Sequence, residues 1–175
     1  YALPETQLFS VLFYREDVLE ELGLEVPQTW EDLIAMLPTI QGNNMSVGIP
    51  FPDINSVDMS GFNSLIYQNG GTIYDEDAKK TLIDSEAGVK AFKLYTSFYN
   101  DYGLPTVYDF VSRFRSGEMP VAVAQYSLYN TLAVSAPEIR GLWDFSEYLG
   151  TVQYNEDGTP MLDDKGNPVI DNTVH

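Results

Sequence analysis

The chain contains no cysteine, and its single histidine, His175, is the last of 175 residues. Disulfides, thiolate zinc sites and cysteine nucleophiles are therefore excluded, and a histidine-based triad or metal centre all but excluded. Basic residues are scarce as well: 9 Lys and Arg stand against 26 Asp and Glu, for a net charge of −17. Such a surface repels phosphate backbones and anionic lipid, so no nucleic-acid partner is expected. No apolar run approaches the roughly 18 residues of a membrane span, and no signal peptide opens the chain. Equally absent are a Gly-rich phosphate loop, a histidine metal spacing and a G-x-S-x-G elbow. A glycosidase-like carboxylate pair is not refuted by the residues, but with 26 acids it means something only inside a cleft. The aspartate-rich turns YDEDAK, NEDGTP and LDDKGNP lack the full ligand pattern of a calcium loop and read as solvated turns. No metal, no cofactor and no catalysis are expected.

What is present is a globular composition, 44% apolar and 13% aromatic, on a chain long enough for one domain with a core. LFSVLFY (8–14) is apolar and β-branched and reads as a buried strand. Val18, Leu19 and Leu22 then recur at helical spacing, with Gly23 as the stop. Thr29 stands three residues before Asp32, a capping-box start for a helix whose apolar face is Trp30, Leu33, Ile34 and Leu37. Pro38 is expected to end or kink it. SVGIPF is a short strand, and DMSGFNSLIYQNGG a third helix closed by Gly70 and Gly71. TIYDEDAKKTLI suggests a small hairpin. In the helix expected over 86–102, Phe92, Tyr95, Phe98 and Tyr99 form a stripe assigned to packing, with Asp84 and Ser85 available as caps. A short helix, YDFVSRFRSG, leads to the apolar strand 120–124, a helical segment 128–137 and a last strand in GLWDFSEYL. The mixture predicts an α/β fold. Residues 151–175, with NEDGTP and DDKGNP eight residues apart, read as an acidic Gly/Pro turn-rich ribbon or loose tail.

One junction stands out. After Ala124 the strand runs abruptly into Gln125, Tyr126, Ser127, Tyr129 and Asn130. Strand ends are where α/β domains place ligand contacts, and aromatic faces beside amides and hydroxyls suit a neutral polar ligand such as a sugar.

The order of motifs adds a resemblance. YALPETQLFSVLFYREDVLEELGLEVPQTWEDL resembles the Y-x-L-P start, L-x-Y strand, acidic helix and TW-[DE]-[DE]-L helix of the family 1 extracellular solute-binding proteins. IYQNGGTIYDED, DSEAGVKAFKLYTSFYNDYGL and FRSGEMPVAV resemble that family's following steps, and QYSLYNTLAVSAPEIRGLW a subgroup's APEIRGLW stretch. The resemblance covers about residues 1–150 and implies the sugar-binding subunit of an ABC importer. Such proteins have two α/β lobes of periplasmic-binding-protein type II (maltose-binding-protein-like) fold, each with a mixed sheet flanked by helices, which clamp the ligand between them. Residues 1–150 then correspond to the second lobe, and 151–175 lead back to the first. The opening at YALPETQ without Met agrees with a piece of a longer, exported chain, periplasmic or, in a Gram-positive bacterium, tethered to the cell surface as a lipoprotein. Its implied partners are a mono- or oligosaccharide, the permease subunits of the importer and the first lobe. By position, the resemblance points to Gln7 (with Glu5 second), Asp58, Phe62, Tyr108, Gln125, Tyr126 and Tyr129 as ligand-binding residues. Gln125-Tyr126-Ser127 departs from the family's usual Gly-x-Trp, so ligand identity does not carry over. The alternatives are a surface or sensory protein of the same fold that has lost transport, and a carbohydrate-active enzyme.

Overall fold

A computed structural model describes residues 8–52 and 60–174. Strand β1 (Ser10–Arg15) runs directly into helix α1 (Glu16–Leu22), which Gly23 closes at φ 66°, a left-handed conformation that costs glycine little. Helix α2 (Trp30–Gly42) follows, then β2 (Val47–Gly48), α3 (Ser60–Gln68), α4 (Glu86–Asn100), α5 (Phe110–Ser116) and β3 (Val121–Gln125). Helix α6 (Leu128–Ser135), a 3₁₀ turn (Pro137–Ile139), β4 (Trp143–Ser146), β5 (Thr151–Val152) and β6 (Ile170–Asp171) complete the order. The main sheet is four-stranded, β2-β3-β1-β4. Strand β1 is antiparallel to β3 and β4, and β2 is parallel to β3, so the sheet is mixed.

Side chains on successive strand residues point to opposite faces, and here both faces are covered. Leu12, Val121 and Val123 join one core with Trp30, Leu33 and Leu37 of α2, Leu65 and Ile66 of α3, and Tyr95 and Phe98 of α4. Val11, Phe13, Ala122 and Ala124 join a second core with Phe110 and Phe114 of α5 and Leu132 of α6. Burying each large apolar side chain contributes about 1.5–3 kcal/mol, so both layers hold the sheet. The helices start where the sequence places their caps. Thr29 accepts from the Asp32 N–H at 3.1 Å while the Asp32 carboxylate accepts from the Thr29 N–H at 3.0 Å, and Ser85 accepts from the Gly88 N–H.

Three local expectations change. Helix α2 does not end at Pro38 but continues to Gly42, because Leu37 and Ile40 on either side are both buried and packing outweighs one lost hydrogen bond. Phe92 is 58% exposed. With Ala91, Tyr95 and Phe98 facing the core, position 92 falls on the helix flank, where its ring meets Phe62 in a T-shaped contact. The last strand stops at Ser146, and residues 151–174 form an ordered ribbon. In it β5 pairs with β6, and two turns repeat one geometry: the Asn155 N–H donates to the Thr159 carbonyl and the Asp163 N–H to the Asn167 carbonyl, both at 2.8 Å.

Two buried polar side chains fasten the elements. Arg15, at the end of β1, donates to the Phe114 and Arg115 carbonyls that end α5, and also pairs in a fork with Asp17. That guanidinium holds the Asp17 carboxyl below its ordinary pKa, more than burial raises it. Gln68, fully buried at the end of α3, accepts from the Trp30 indole N–H at 2.9 Å and the Thr151 hydroxyl at 3.0 Å. Its own amide donates to the Leu149 and Thr173 carbonyls at 2.8 and 3.2 Å. The ribbon is thereby sewn to the α2–α3 side of the core.

Candidate functional site

The strand directions bring one end of the sheet into focus. Ser10, the first residue of β1, pairs with Gln125, the last of β3, and β2 and β4 run the same way as β3. The carboxyl ends of β2, β3 and β4 therefore meet the start of β1, the place where open α/β sheets bind ligands. Pairing extends one step further, since the Tyr126 N–H donates to the Phe9 carbonyl at 2.9 Å.

Alternation explains which side chains emerge there. Phe9, Val11 and Phe13 lie on one face of β1, and Tyr126, Ala124 and Ala122 lie across from them on the line of β3. The inner pairs are buried, and the outermost pair leaves the sheet into solvent, Phe9 at 44% and Tyr126 at 36% exposure. Their rings stack, with centroids 5.1 Å apart and planes within 11°. Tyr129, on the first turn of α6 and 38% exposed, stacks on Tyr126 in turn, at 5.9 Å and 18°. Beneath this ladder β4 supplies supporting edges. Phe145 lies 5.2 Å from Tyr126 and 5.8 Å from Tyr129, and Trp143 lies 5.5 Å from Tyr129, all steeply tilted. Edge-to-face contacts of this kind are each favourable by about 0.5–1.5 kcal/mol beyond area burial, which fixes the rings. Gln125, Ser127 and Asn130 are exposed at the same strand end, Gln125 alternating to the other sheet face, and a pocket of about 410 Å³ opens from Tyr129 toward Arg140, Trp143 and Asp144.

The other expected residues lie elsewhere. Gln7 and Asp58, and Glu5 as the second choice, fall outside the described residues. Phe62 is 6% exposed and packs in the core against Tyr95 and, in a T-shaped contact, Phe92, so its ring does not join the exposed group. Tyr108 is half-buried over Gly48, where an added Cβ would meet its ring at 3.2 Å. Gln125, Tyr126 and Tyr129 come together at the strand end. Phe9, Trp143 and Phe145 complete the group, and residue types alone pointed to none of these three. Phe9 sits inside an apolar run that reads as wholly buried, and only its spacing of two from Val11 and of four from Phe13 signals a shared face.

Chemically, the group offers flat apolar rings, an amide and hydroxyls. Among the described residues no cluster of three acidic or histidine side chains is placed to hold a metal. Among the described residues the one carboxylate lining the adjoining pocket is Asp144, whose Oδ1 already accepts from the Phe145 N–H at 2.8 Å.

Residues 1–158 match the family model described as bacterial extracellular solute-binding protein. A protein of Escherichia coli (strain K12), the putative ABC transporter periplasmic-binding protein YcjN, is 26% identical over 136 residues, covering 75% of this chain and 31% of its own length. Among solved structures, an ABC transporter solute-binding protein of Thermotoga lettingae bound with alpha-D-tagatose gives a TM-score of 0.72 at 22% identity, over 85% of this chain and 41% of that one. Maltose-bound MalE3 of T. maritima gives 0.69 at 24%, over 85% and 40%. The mixed sheet with helices on both faces is thus the maltose-binding-protein-like α/β fold, and the chain spans about a third to two-fifths of these proteins, the share of a single lobe.

Proposed function

Because the chain belongs to the bacterial extracellular solute-binding protein family, we propose that it forms one wall of a cleft that captures a mono- or oligosaccharide for an ABC importer. One observation carries this reading: the exposed ladder of Phe9, Tyr126 and Tyr129 at the strand ends, where Gln125, Ser127 and Asn130 are also exposed. Pyranose rings present C–H faces that pack on aromatic rings, while their hydroxyls need amides and hydroxyls nearby. The site therefore binds without chemistry. A first lobe, supplied by other parts of the protein, closes over the ladder, excludes water and adds the remaining contacts. Residues 1–150 act as the second lobe, and the ribbon 151–175 leads back toward the first. The permease subunits of the importer receive the loaded, closed form. The protein acts outside the cytoplasm, in the periplasm or as a surface lipoprotein.

The test is an array of neutral mono- and oligosaccharides probed with the full-length protein and its Tyr126→Ala variant. The reading expects selective binding to at least one glycan, weakened by the substitution. Absence of glycan binding, or glycan binding indifferent to Tyr126, overturns it.

A further inference from the structure

The ladder is not three equivalent rings. Tyr126 is the middle one: Phe9 stacks on it at 5.1 Å and Tyr129 at 5.9 Å, both near parallel, while Phe145 meets it steeply tilted at 5.2 Å. With two near-parallel neighbours and one steeply tilted one, Tyr126 has more of its ring taken up by other rings than Phe9 has. Tyr129 is flanked by Tyr126, Trp143 and Phe145. Phe9 has one aromatic partner among the described ring pairs, the Tyr126 ring, and is the most exposed of the three at 44%. We propose that Phe9 is the ring on which the ligand stacks, and that Tyr126 is a positioning residue. Tyr126 backs Phe9 with its face and offers the ligand only its rim and hydroxyl. This assignment rests on the carbohydrate reading above and names the side chain that recognises the apolar face of the sugar.

The backbone fits that division of labour. The Phe9 carbonyl accepts from the Tyr126 N–H, and Ser10 is in register with Gln125, so the two rings are a cross-strand pair whose spacing is set by the sheet. A ring held from behind by a near-parallel partner loses little freedom when a sugar lands on it, which lowers the ordering cost of binding. Gln125, in register with Ser10, alternates to the opposite sheet face from Tyr126, while exposed Ser127 and Asn130 follow Tyr126 into the first turn of α6 and offer polar groups beside it in sequence.

The experiment uses the full-length protein on the same array of neutral mono- and oligosaccharides, followed by calorimetry on the strongest-binding glycan. The variants are Phe9→Ala, Phe9→Trp, Tyr126→Phe, Tyr126→Ala and the double alanine. Phe9→Ala is expected to weaken binding about tenfold or more, and Phe9→Trp to retain or strengthen it. Tyr126→Phe keeps the backing face and is expected to stay within about threefold of wild type. Tyr126→Ala is expected to weaken binding through Phe9, so the double variant is no weaker than the weaker single one. Losses that add instead would show that Tyr126 touches the ligand with its own face and would overturn the assignment. Glycan binding unaffected by Phe9→Ala overturns it too, while leaving the carbohydrate reading standing. Absence of any glycan binding by wild type fells both. A further variant, Phe9→Leu, keeps an apolar side chain but no flat face. It is expected to melt as wild type does while losing binding as Phe9→Ala does, which separates a lost ligand contact from a lost fold; wild-type binding by Phe9→Leu overturns the assignment.

Discussion

Replacing Gln68 by leucine probes the joint that holds the ribbon to the core. The substitution preserves volume but removes a fully buried amide with four hydrogen-bond partners. The Trp30 indole N–H and the Leu149 carbonyl belong to residues with almost no exposure and have no route to water. Leaving each unpaired costs about 1–3 kcal/mol, so the variant should lose about 2–6 kcal/mol, since leucine gains only the burial of a few more apolar atoms. For a chain of this size that corresponds to a fall in Tm of about 5–20 °C, read by calorimetry. Hydrogen exchange adds a spatial signature, because protection across Thr151–Asp171 should drop before that of the main sheet. Gln68→Glu probes the same joint with a charge. An ionised carboxylate could still accept from Trp30 and Thr151 but would face the Leu149 and Thr173 carbonyls with no donor. Burial raises such a carboxyl above its unfolded value of about 4.3. Stability of this variant is then greatest below that value and falls as pH rises through the folded pKa, so its deficit against wild type should narrow in acid. A Gln68→Leu variant within about 0.5 kcal/mol of wild type would refute the claim that this amide carries the joint.

Further outcomes follow from other sites. Gly88→Ala improves intrinsic helix propensity by about 1 kcal/mol, yet a Cβ at this position runs into the Ile83 carbonyl oxygen, so net destabilisation of about 1–3 kcal/mol is expected in urea titrations. The Arg15–Asp17 pair lowers the Asp17 pKa, so its contribution is present above the ordinary aspartate value of about 3.9 and is lost as pH falls through the lower folded value. Asp17→Asn should therefore flatten the acid limb of the stability profile and leave neutral-pH stability lower than wild type. The 175-residue chain alone should bind glycans far more weakly than the full-length protein by calorimetry, because one wall of the proposed cleft is absent.

Much of this architecture is legible in the sequence because its signals are local. Thr29 with Asp32, Gly23 after Leu22 and the apolar run before Gln125 each declare an element edge within a few residues. Gln68 declares nothing. It reads as a polar residue near a helix end, and its partners stand 38 to 105 positions away. Phe9 was hidden for a related reason, since an apolar run does not show where pairing stops. Only the register of Ser10 with Gln125 puts Phe9 and Tyr126 just past the last buried pair. Phe62 failed to join the exposed group because a residue near a helix start can face inward as readily as outward, and tertiary packing decided it. The near-copies NEDGTP and DDKGNP did announce their turns, as Gly158 and Gly166 adopt φ of 80° and 84°, but what those turns connect depended on long-range pairing.

The most direct test of the central claim is a crystal structure of the full-length protein with the glycan that binds it most strongly. The expected result is a sugar ring packed against Phe9, its hydroxyls within reach of Gln125, Ser127 or Asn130, and the first lobe closed over it. A bound sugar that touches neither Phe9 nor the Tyr126–Tyr129 pair would contradict it.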